Sequence, residues 1–307
     1  MVEQAHDKAV AFWGETMADE EPLRETRFPL VEVQTAIAWR VIEPCLQGTL
    51  RVLDAGAGTG RYSLPIAAQG HHVTHLDVSP AMLQRAMASA AHEGLAEIEF
   101  RQGDVCNLSA FADRAFDLTL CLDAPVSYAW PHHARALGEV CRVTGERLVL
   151  MVSSRSGALP FMIDFDMAGS FVPPGQGEGH DPFFLTESIL RHGVERFPPE
   201  FEPWLRREGK LTPPDYAFTA PELTDLLEAE GFAVQLIGGP GALARSIRPE
   251  SLERIRSDPA LFERFIGYSV AFDFDPYNVG LGAVNLMVVA HRVGEPARRR
   301  HGKRRQA

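Results

Sequence analysis

The sequence predicts an α/β fold built on a doubly wound parallel sheet. Short apolar segments of strand length alternate with segments of helical periodicity, which is the pattern of a parallel sheet with helices on both faces. The alternation is interrupted over 155–216 and over 240–280, and it resumes after each interruption. A chain of 307 residues with 45% hydrophobic and 23% charged residues is large enough to bury one such core.

The strands are predicted from apolar segments bounded by turn-forming or polar residues. They are LRVLDAG (50–56), HHVTHLDVS (71–79), IEFRQGD (98–104), FDLTLCLD (116–123), RLVLMVSS (147–154), AVQLIGG (233–239) and VNLMVVAHR (284–292). Helical spacing is present between them at 62–69, 80–93, 133–143 and 219–232. The last of these helices is predicted to begin with a capping box formed by Thr219 and Glu222.

The regions outside this pattern predict a cap over the sheet. The stretch at 155–216 is rich in Gly, Pro and Phe and is longer than an ordinary loop, so we expect a folded insertion there. We divide the chain into an N-terminal helical cap (1–48), a core (49–154 and 217–292), inserted cap segments (155–216 and 240–280) and a flexible basic tail (293–307).

The distribution of charge bears on the class of partner. The net charge is −11, although the last fifteen residues carry six Lys/Arg against one Glu, so the rest of the chain is strongly acidic. An acidic surface repels nucleic-acid phosphates, and we expect no nucleic-acid partner. The sequence has neither an apolar run of membrane-spanning length nor an apolar signal region near Met1, so we expect a cytoplasmic protein without a membrane partner. We expect free, buried thiols at Cys45, Cys106, Cys121 and Cys141.

Glycines at alternate positions follow the first predicted strand. In VLDAGAGTG (52–60) the strand ends at Asp54, and Gly56, Gly58 and Gly60 precede a helix. Glycines at such positions allow tight turns and close approach of a ligand to the backbone beside a helix N-terminus. A dinucleotide loop has GxGxxG spacing, which disfavours an NAD-dependent oxidoreductase here. The GxGxG spacing after an acidic residue better fits a ligand that carries both an ammonium and a carboxylate.

Two more carboxylates end the next two predicted strands. Asp77 ends the second strand, where a carboxylate can accept both hydroxyls of a ribose. Asp104 ends the third strand, where it can contact an adenine edge together with the N–H of Val105. Each residue alone is equally consistent with a solvated turn. Together with Asp54 they occupy three successive strand ends at the carboxyl edge of the sheet, where such folds bind ligands.

Several segments resemble the successive cofactor motifs of class I S-adenosylmethionine-dependent methyltransferases. These segments are VLDAGAGTGRYS, HLDVSPAML, GDV and FDLTLCLDAP. The resemblance covers about 50–154 and resumes over 219–292. It implies a Rossmann-like sheet of seven strands, the last of them antiparallel, and S-adenosylmethionine as the cofactor.

The resemblance also implies roles for single residues. It implies a methionine pocket around Asp54, Gly56, Gly58 and Gly60, ribose binding by Asp77 and Val78, adenine contact by Asp104 and Val105, and lining of the sulfonium by Leu122 and Asp123. SPAML and the long insertions are similar to a small-molecule branch of the family. The motif LDAPVSY lacks the NPPY or DPPY pattern, which argues against DNA adenine or protein glutamine substrates.

Methyl transfer requires an aligned nucleophile, exclusion of water and, for some acceptors, a proton acceptor. The candidate catalytic residues are Asp123, His132, His133 and His180. His132 and His133 begin a helix and fit a solvent-facing pair better than a catalytic one, whereas His180 lies in a glycine-rich loop that can close over the site. Asp164 and Asp166 alternate with apolar residues, which predicts one face of an extended segment. No residue is assigned to a metal.

Aromatic and arginine side chains in or near the insertions are candidates for binding the acceptor. They are Tyr128, Trp204, Tyr216, Tyr268, Arg155 and Arg245. The rings can enclose a compact substrate or contact a cationic product, and the guanidinium groups can pair with a carboxylate or phosphate. Packing in the core or cap and exposed salt bridges remain alternative roles for these residues.

The sequence therefore predicts methyl transfer to a small molecule enclosed by the cap. The acceptor is either amino-acid-like or a thioether such as methionine, or else an O- or N-methylated natural product. One alternative is an RNA or protein methyltransferase guided by the basic tail. Another is a non-catalytic nucleoside-binding module. The sequence also leaves a homodimer open.

Overall fold

The computed structural model describes residues 11–13, 17–18, 20–175, 180–281 and 284–294. The strands are β1 Arg51–Ala55, β2 His72–Asp77, β3 Glu99–Gln102, β4 Phe116–Cys121, β5 Thr144–Ser153, β6 Val194–Glu195, β7 Asp215–Tyr216, β8 Phe232–Gly238 and β9 Asn285–Arg292. Every predicted strand is present. The antiparallel pair of β6 and β7 is an addition that the apolar pattern did not predict.

All strands except β6 and β7 form one seven-stranded sheet in the order β3-β2-β1-β4-β5-β9-β8. The pairs from β3 to β5 are parallel, and β9 is antiparallel to both of its neighbours. The predicted doubly wound sheet with an antiparallel last strand is confirmed. Because the chain order reverses at β1 and β4, a crevice opens at the carboxyl ends of these two strands.

Helices cover both faces of the sheet. The α-helices are Arg24–Arg27, Pro29–Ile42, Ser63–Ala68, Pro80–Glu93, Pro125–Tyr128, His133–Val143, Arg155–Met167, Phe184–His192, Glu202–Arg207, Ala220–Ala229, Ala242–Ser246, Pro249–Arg256 and Pro259–Asp273, and short 3-10 turns lie at Glu21–Leu23 and Glu43–Cys45. The predicted capping box is confirmed, because the Glu222 N–H donates to the Thr219 hydroxyl at 3.3 Å and the Thr219 N–H donates to the Glu222 carboxylate at 3.3 Å.

The sheet is buried on both faces, which fixes the positions of the strand ends. Val52 and Leu53 of β1 are both 0% exposed and belong to different apolar clusters. Val52 packs in the cluster that includes the Pro29–Ile42 helix, and Leu53 packs in the cluster that includes the His133–Val143 and Ala220–Ala229 helices. Burial of a large aliphatic side chain contributes about 1.5–3 kcal/mol.

The insertion between β5 and β8 has an apolar cluster of its own. Its buried residues come mainly from the Arg155–Met167, Phe184–His192 and Glu202–Arg207 helices. This independent cluster makes the insertion a folded unit attached to the end of β5.

The prediction of an extended segment at Asp164 and Asp166 is wrong, because both residues lie in the Arg155–Met167 helix. The Asp166 carboxylate accepts the N–H groups of Leu185 at 3.2 Å and Thr186 at 2.9 Å. It thereby satisfies amide groups in the first turn of the next helix, which no neighbouring carbonyl could reach. Asp166 is thus a residue that joins two helices of the insertion.

Three further expectations concern the cysteines, the basic tail and membrane-spanning helices. The cysteines are all free and buried, as expected. The predicted basic tail lies outside the described residues from 295 onward. Within the described ranges no helix is both long and apolar enough to cross a membrane.

Candidate active site

A cavity of about 940 Å³, counted out to its mouth, opens where β1, β2 and β4 end. It is lined by nearly all of the residues that the sequence assigned to the cofactor: Asp54, Gly56, Gly58, Asp77, Val78, Asp104, Val105 and Leu122. Asp123 and Tyr128 also line it. The strand-end residues therefore meet at one place, as the parallel sheet requires.

The glycine loop after β1 is tied to the end of β2. The N–H groups of Gly56 and Ala57 donate to the carbonyl of Leu76 at 2.8 and 3.0 Å. The N–H of Gly58 donates to the Asp77 carboxylate at 2.8 Å. At Gly58, where φ is +57°, an added Cβ would meet no protein atom within 4 Å, so the backbone itself forms the cavity wall.

The two flanking glycines are required for packing. A Cβ at Gly56 would lie 2.4 Å from Cγ of Pro125, which belongs to the loop after β4. A Cβ at Gly60 would lie 2.7 Å from Cγ of Leu64, at the start of the helix that follows. Gly60 is not on the cavity wall, and it allows the chain to turn from the loop into that helix.

Asp54 presents an unsatisfied carboxylate to the cavity. The side chain is 1% exposed, and its Oδ2 atom has no hydrogen-bond partner. The pKa of Asp54 is raised to about 7, mainly by burial and also by the nearby charges of Asp77 and Asp123, whereas hydrogen bonds from Ser63 oppose the shift. A buried acceptor without a partner is costly, which indicates that this oxygen faces a ligand.

Asp77 and Asp104 are held in place by backbone groups. The Asp77 carboxylate accepts the N–H of Gly58 and, at 2.8 Å, the N–H of Ser79. Burial raises the pKa of Asp77, although these hydrogen bonds oppose the shift. The Asp104 carboxylate accepts the N–H of Cys106 at 2.7 Å. Each carboxylate oxygen can accept a second hydrogen bond, so both residues remain able to bind ligand hydroxyl or amino groups.

A network of charged side chains closes one side of the cavity. Arg61 pairs with Asp123 at 2.9 Å, with Glu21 at 2.7 Å and with Glu25 at 3.2 Å. Arg24 pairs with Glu21 at 2.9 Å. The sequence analysis did not identify Glu21, Arg24 or Arg61 as site residues. The only signal for them was the position of Arg61 directly after the last glycine of the loop.

Two aromatic rings form another part of the wall. Trp13 and Tyr128 both line the cavity, with ring centroids 5.2 Å apart in an edge-to-face arrangement. The Nε1 atom of Trp13 is buried without a hydrogen-bond partner. Tyr128 was predicted as an acceptor-binding residue, and its position on the cavity wall is compatible with that role. Trp13 was not predicted.

Comparisons with known proteins identify this type of domain. Residues 52–146 match the family described as "Methyltransferase domain". The match supports, over that part of the chain, the predicted resemblance to the class I S-adenosylmethionine-dependent methyltransferases. The methyl donor of that family is S-adenosylmethionine.

The individual relatives match this chain over short segments. An uncharacterised RNA methyltransferase of Parasynechococcus marenigrum is 48% identical over 58 residues, which are 19% of this chain and 12% of that protein. The magnesium-protoporphyrin O-methyltransferase of Rhodobacter capsulatus is 29% identical over 126 residues, which are 40% of this chain and 52% of that protein. The chain therefore spans less than two thirds of the length of both relatives.

A solved structure supports the fold over nearly the whole chain. The 1,6-didemethyltoxoflavin-N1-methyltransferase of Burkholderia thailandensis, solved with 1,6-didemethyltoxoflavin and S-adenosylhomocysteine, has a TM-score of 0.54 and 15% identity. The superposition covers 96% of this chain and 91% of that chain. At this level of identity the similarity establishes the fold alone.

The three histidines predicted as catalytic residues do not line the cavity in the described part of the chain. His132 precedes the His133–Val143 helix and is exposed. The ring of His133 stacks on Tyr216 with centroids 3.9 Å apart, and burial lowers its pKa. His180 lies 3.9 Å from the Glu200 carboxylate. Their catalytic roles stay predictions.

The other predicted acceptor-binding residues are distributed over the insertions. Arg155 donates to the hydroxyl of Tyr216 at 3.2 Å and to the Ala217 carbonyl at 3.2 Å. Lys210 lies over the ring of Trp204. The remaining two are Arg245, whose guanidinium lies 3.4 Å from the centroid of the Phe161 ring, and Tyr268, which is 59% exposed. None of these residues lines the cavity formed by the described chain, and their roles stay predictions.

Proposed function

We propose that this chain transfers the methyl group of S-adenosylmethionine to a small-molecule acceptor. The observation that carries the proposal is the convergence of Asp54, Asp77 and Asp104 on one cavity beside the glycine loop. At the far side of that cavity, Trp13 and Tyr128 provide an apolar wall against which a compact acceptor can lie.

The residues of the cavity fit S-adenosylmethionine. The cofactor carries a sulfonium, an ammonium and a carboxylate, and the unpartnered oxygen of Asp54 offers an acceptor for a positively charged group. The open space at Gly58 leaves room for a ligand directly against the backbone. Asp77 retains accepting capacity for ribose hydroxyls after its two backbone hydrogen bonds.

We assign the parts of the cofactor to the residues predicted for them. The methionine part belongs to Asp54 and the loop Gly56, Gly58 and Gly60, the ribose to Asp77 and Val78, the adenine to Asp104 and Val105, and the sulfonium to Leu122 and Asp123. When bound, S-adenosylmethionine supplies an electrophilic methyl group. The residues of the chain orient the two reactants, exclude water and surround a positive charge with carboxylates.

The size of the acceptor is inferred from the closure of the site. Trp13, Glu21 and Arg24 of the N-terminal segment cover one side of the cavity, and the ion pairs to Arg61 hold that segment in place. A site enclosed in this way favours a compact acceptor over an extended polymer. The names of the Rhodobacter and Burkholderia methyltransferases also indicate small-molecule acceptors. We therefore expect a cytoplasmic enzyme whose acceptor is amino-acid-like, a thioether, or an O- or N-methylated natural product.

An RNA acceptor is the principal rival, since one relative is named as an RNA methyltransferase. That match covers only 19% of this chain. Because the cofactor motifs are common to methyltransferases of many acceptors, so short a match says little about the acceptor. The acidic body of the chain also opposes binding of a polyanion.

The experiment is transfer of label from methyl-tritiated S-adenosylmethionine to a metabolite extract. The extract is used untreated and after digestion with ribonuclease and protease. The products are separated by ultrafiltration, and labelled compounds in the filtrate are then separated from unreacted cofactor by chromatography. We expect label in the filtrate in both cases. Asp77→Asn should lower the transfer, whereas Asp225→Asn, on an exposed position of the Ala220–Ala229 helix, should not. Label retained with RNA or protein would contradict the proposal, and cofactor binding without any transfer would favour a nucleoside-binding module.

A further inference from the structure

The indole of Trp13 presents an unpartnered hydrogen-bond donor at the cavity. The residue lines the cavity, and its Nε1 atom is buried without a hydrogen-bond partner. Its ring packs edge-to-face against the ring of Tyr128, which also lines the cavity. A buried indole N–H normally donates to an acceptor atom, so we expect a ligand atom with a lone pair beside it.

The guanidinium of Arg24 offers further donors to the same cavity. Its contacts with Glu21, at 2.9 and 3.1 Å, and with Asp123, at 3.6 Å, are all made by Nη1. The Nε and Nη2 atoms make no hydrogen bond to a residue in the described part of the chain. In Arg61, by contrast, all three guanidinium nitrogens are used, by Glu21, Glu25 and Asp123. Arg24 therefore retains the pair of donors that binds a carboxylate bidentately.

Backbone hydrogen bonds connect the segment of Trp13 to the turn before Arg24. The N–H of Met17 donates to the carbonyl of Phe12 at 3.2 Å, and the N–H of Glu21 donates to the carbonyl of Met17 at 2.9 Å. The two donor groups thus belong to one connected stretch of the chain that lines the cavity. A ligand at this end of the cavity meets hydrogen-bond donors from both of them.

The carboxylates at this end of the cavity are already engaged. Glu21 and Asp123 each pair with both Arg24 and Arg61, so a proton taken up by either acid would weaken two ion pairs. The other carboxylates on the cavity wall are those assigned above to the cofactor. No histidine lines the cavity within the described residues. An acceptor that is already ionised at neutral pH needs no base to remove a proton.

We propose that Arg24 and Trp13 bind a carboxylate of the acceptor, so that the acceptor is a small carboxylic acid and is methylated on that group. This proposal rests on the methyltransferase function proposed above. The guanidinium and the indole N–H use some of the lone pairs of the carboxylate, and another lone pair remains free for attack.

The reaction on a carboxylate balances without a proton acceptor. A carboxylate oxygen forms a bond to the methyl carbon, the bond between that carbon and sulfur breaks, and its electron pair stays on sulfur. The negative charge of the carboxylate and the positive charge of the sulfonium are lost together. The products are a neutral methyl ester and S-adenosylhomocysteine.

The first test asks how the methyl group is attached to the product. Small-molecule product labelled from methyl-tritiated S-adenosylmethionine is isolated from the digested extract and heated in dilute alkali. A methyl ester releases volatile tritiated methanol, whereas methyl groups on an amine nitrogen or an ether oxygen remain on the product. We expect most of the label in the distilled methanol. Label that is not released as methanol would overturn the carboxylate proposal, whereas absence of any labelled product would contradict the methyltransferase function.

The second test compares two probes of one shape, benzoate and benzamide. Each is titrated by calorimetry into the full chain saturated with sinefungin, a cofactor analogue that carries a positively charged amine in place of the methylsulfonium. We expect benzoate to bind about tenfold more tightly than benzamide, because charge-assisted hydrogen bonds are stronger than neutral ones. Equal affinity, preference for benzamide, or no binding of benzoate would contradict the proposal.

Variants locate the binding of benzoate at the two donors. Trp13→Phe removes the N–H and keeps an aromatic ring, and Arg24→Lys keeps a positive charge beside Glu21 and removes the bidentate donors. Each should lower benzoate affinity by about fivefold or more and narrow its preference over benzamide, while sinefungin binds as in the parent chain. Trp39→Phe and Arg27→Lys make the same changes at residues that are not on the wall of the described cavity, and they should have no effect.

The preference for benzoate over benzamide separates recognition from a structural role. A residue that only supports the fold would change the affinities of both probes alike. An unchanged preference in both Trp13→Phe and Arg24→Lys would therefore refute the assignment. If sinefungin does not bind the parent chain, the methyltransferase proposal fails instead, so the two failures are distinguishable.

Discussion

The glycine loop offers a sharp test of the cofactor site, because the chain contains a matched control for Gly58. Gly58 and Gly48 both have positive φ, +57° and +74°, and at both positions an added Cβ would meet no protein atom within 4 Å. Gly58 lines the cavity, whereas Gly48 lies in an exposed loop before β1. Gly58→Ala and Gly48→Ala therefore place a methyl group on equally unencumbered left-handed backbones, and only the first methyl group enters the cavity.

The expected magnitudes separate folding from binding. A non-glycine residue in the left-handed region costs about 1–2 kcal/mol, which the lower entropy of the unfolded Ala variant offsets by about 0.4–1 kcal/mol. Both variants should thus lose about 1 kcal/mol in the free energy of unfolding. In Gly58→Ala the methyl group also occupies space that the cofactor needs. Overpacking of about 1–3 kcal/mol corresponds to a roughly 5- to 150-fold loss of cofactor affinity.

The assay is calorimetric titration with S-adenosylhomocysteine, combined with urea unfolding of the same preparations. Equal losses in unfolding free energy, with weaker binding in Gly58→Ala alone, are the expected result. If Gly58→Ala binds S-adenosylhomocysteine as tightly as Gly48→Ala does, the loop does not approach the cofactor and its assignment is refuted.

Three further predictions concern the surroundings of the cavity. Gly56→Ala should lower the free energy of unfolding by about 3 kcal/mol, measured in urea, because its Cβ would lie 2.4 Å from the rigid ring of Pro125; a loss below about 1 kcal/mol would contradict this packing. His75 is 0% exposed, contacts the Ser63 hydroxyl at 2.7 Å, and has its pKa lowered to about 4 by burial. The unfolded chain therefore binds this proton more readily than the folded chain does. His75 should contribute about 2–3 kcal/mol to the free energy of unfolding above pH 6.5, and this contribution is lost as the pH falls toward 4. Urea unfolding at pH 4.5 and 7 should show that His75→Gln removes this part of the pH dependence. Arg61→Met removes the arginine that pairs with Glu21, Glu25 and Asp123, and it should lower the free energy of unfolding by about 3 kcal/mol. Amide hydrogen exchange over 20–28 should become faster. Unchanged exchange there would show that these ion pairs do not hold the N-terminal segment.

The cofactor side of the site could be predicted from the sequence because it depends on local rules. A parallel sheet places the ends of successive strands at one edge, so the positions of Asp54, Asp77 and Asp104 along the chain were sufficient to bring them together. The same rules predicted every strand of the large sheet, whereas the antiparallel direction of the last strand was expected only from the resemblance to the class I methyltransferases. The alternating pattern failed at Asp166, where side-chain hydrogen bonds to the next helix accompany a helical conformation.

The remaining site residues depend on contacts that no local pattern encodes. Glu21 reaches Arg61 from a turn forty residues earlier in the chain. His133 was a reasonable candidate from its position after β4, but its ring stacks on Tyr216 of the insertion, a contact that depends on how the insertion docks.

Ser153, at the end of β5, contacts two neighbouring segments. Its N–H donates to the Ser127 hydroxyl in the Pro125–Tyr128 helix, and its hydroxyl donates to the Asp215 carboxylate in the insertion. The segment that follows β7 is also joined to the end of β5 by its backbone, because the Phe218 N–H donates to the Ser153 carbonyl at 2.8 Å and the Arg155 N–H donates to the Phe218 carbonyl at 2.8 Å. The end of β5 therefore holds two neighbours in place at once: the Pro125–Tyr128 helix, whose Tyr128 lines the cavity, and the segment that carries Asp215 and Phe218.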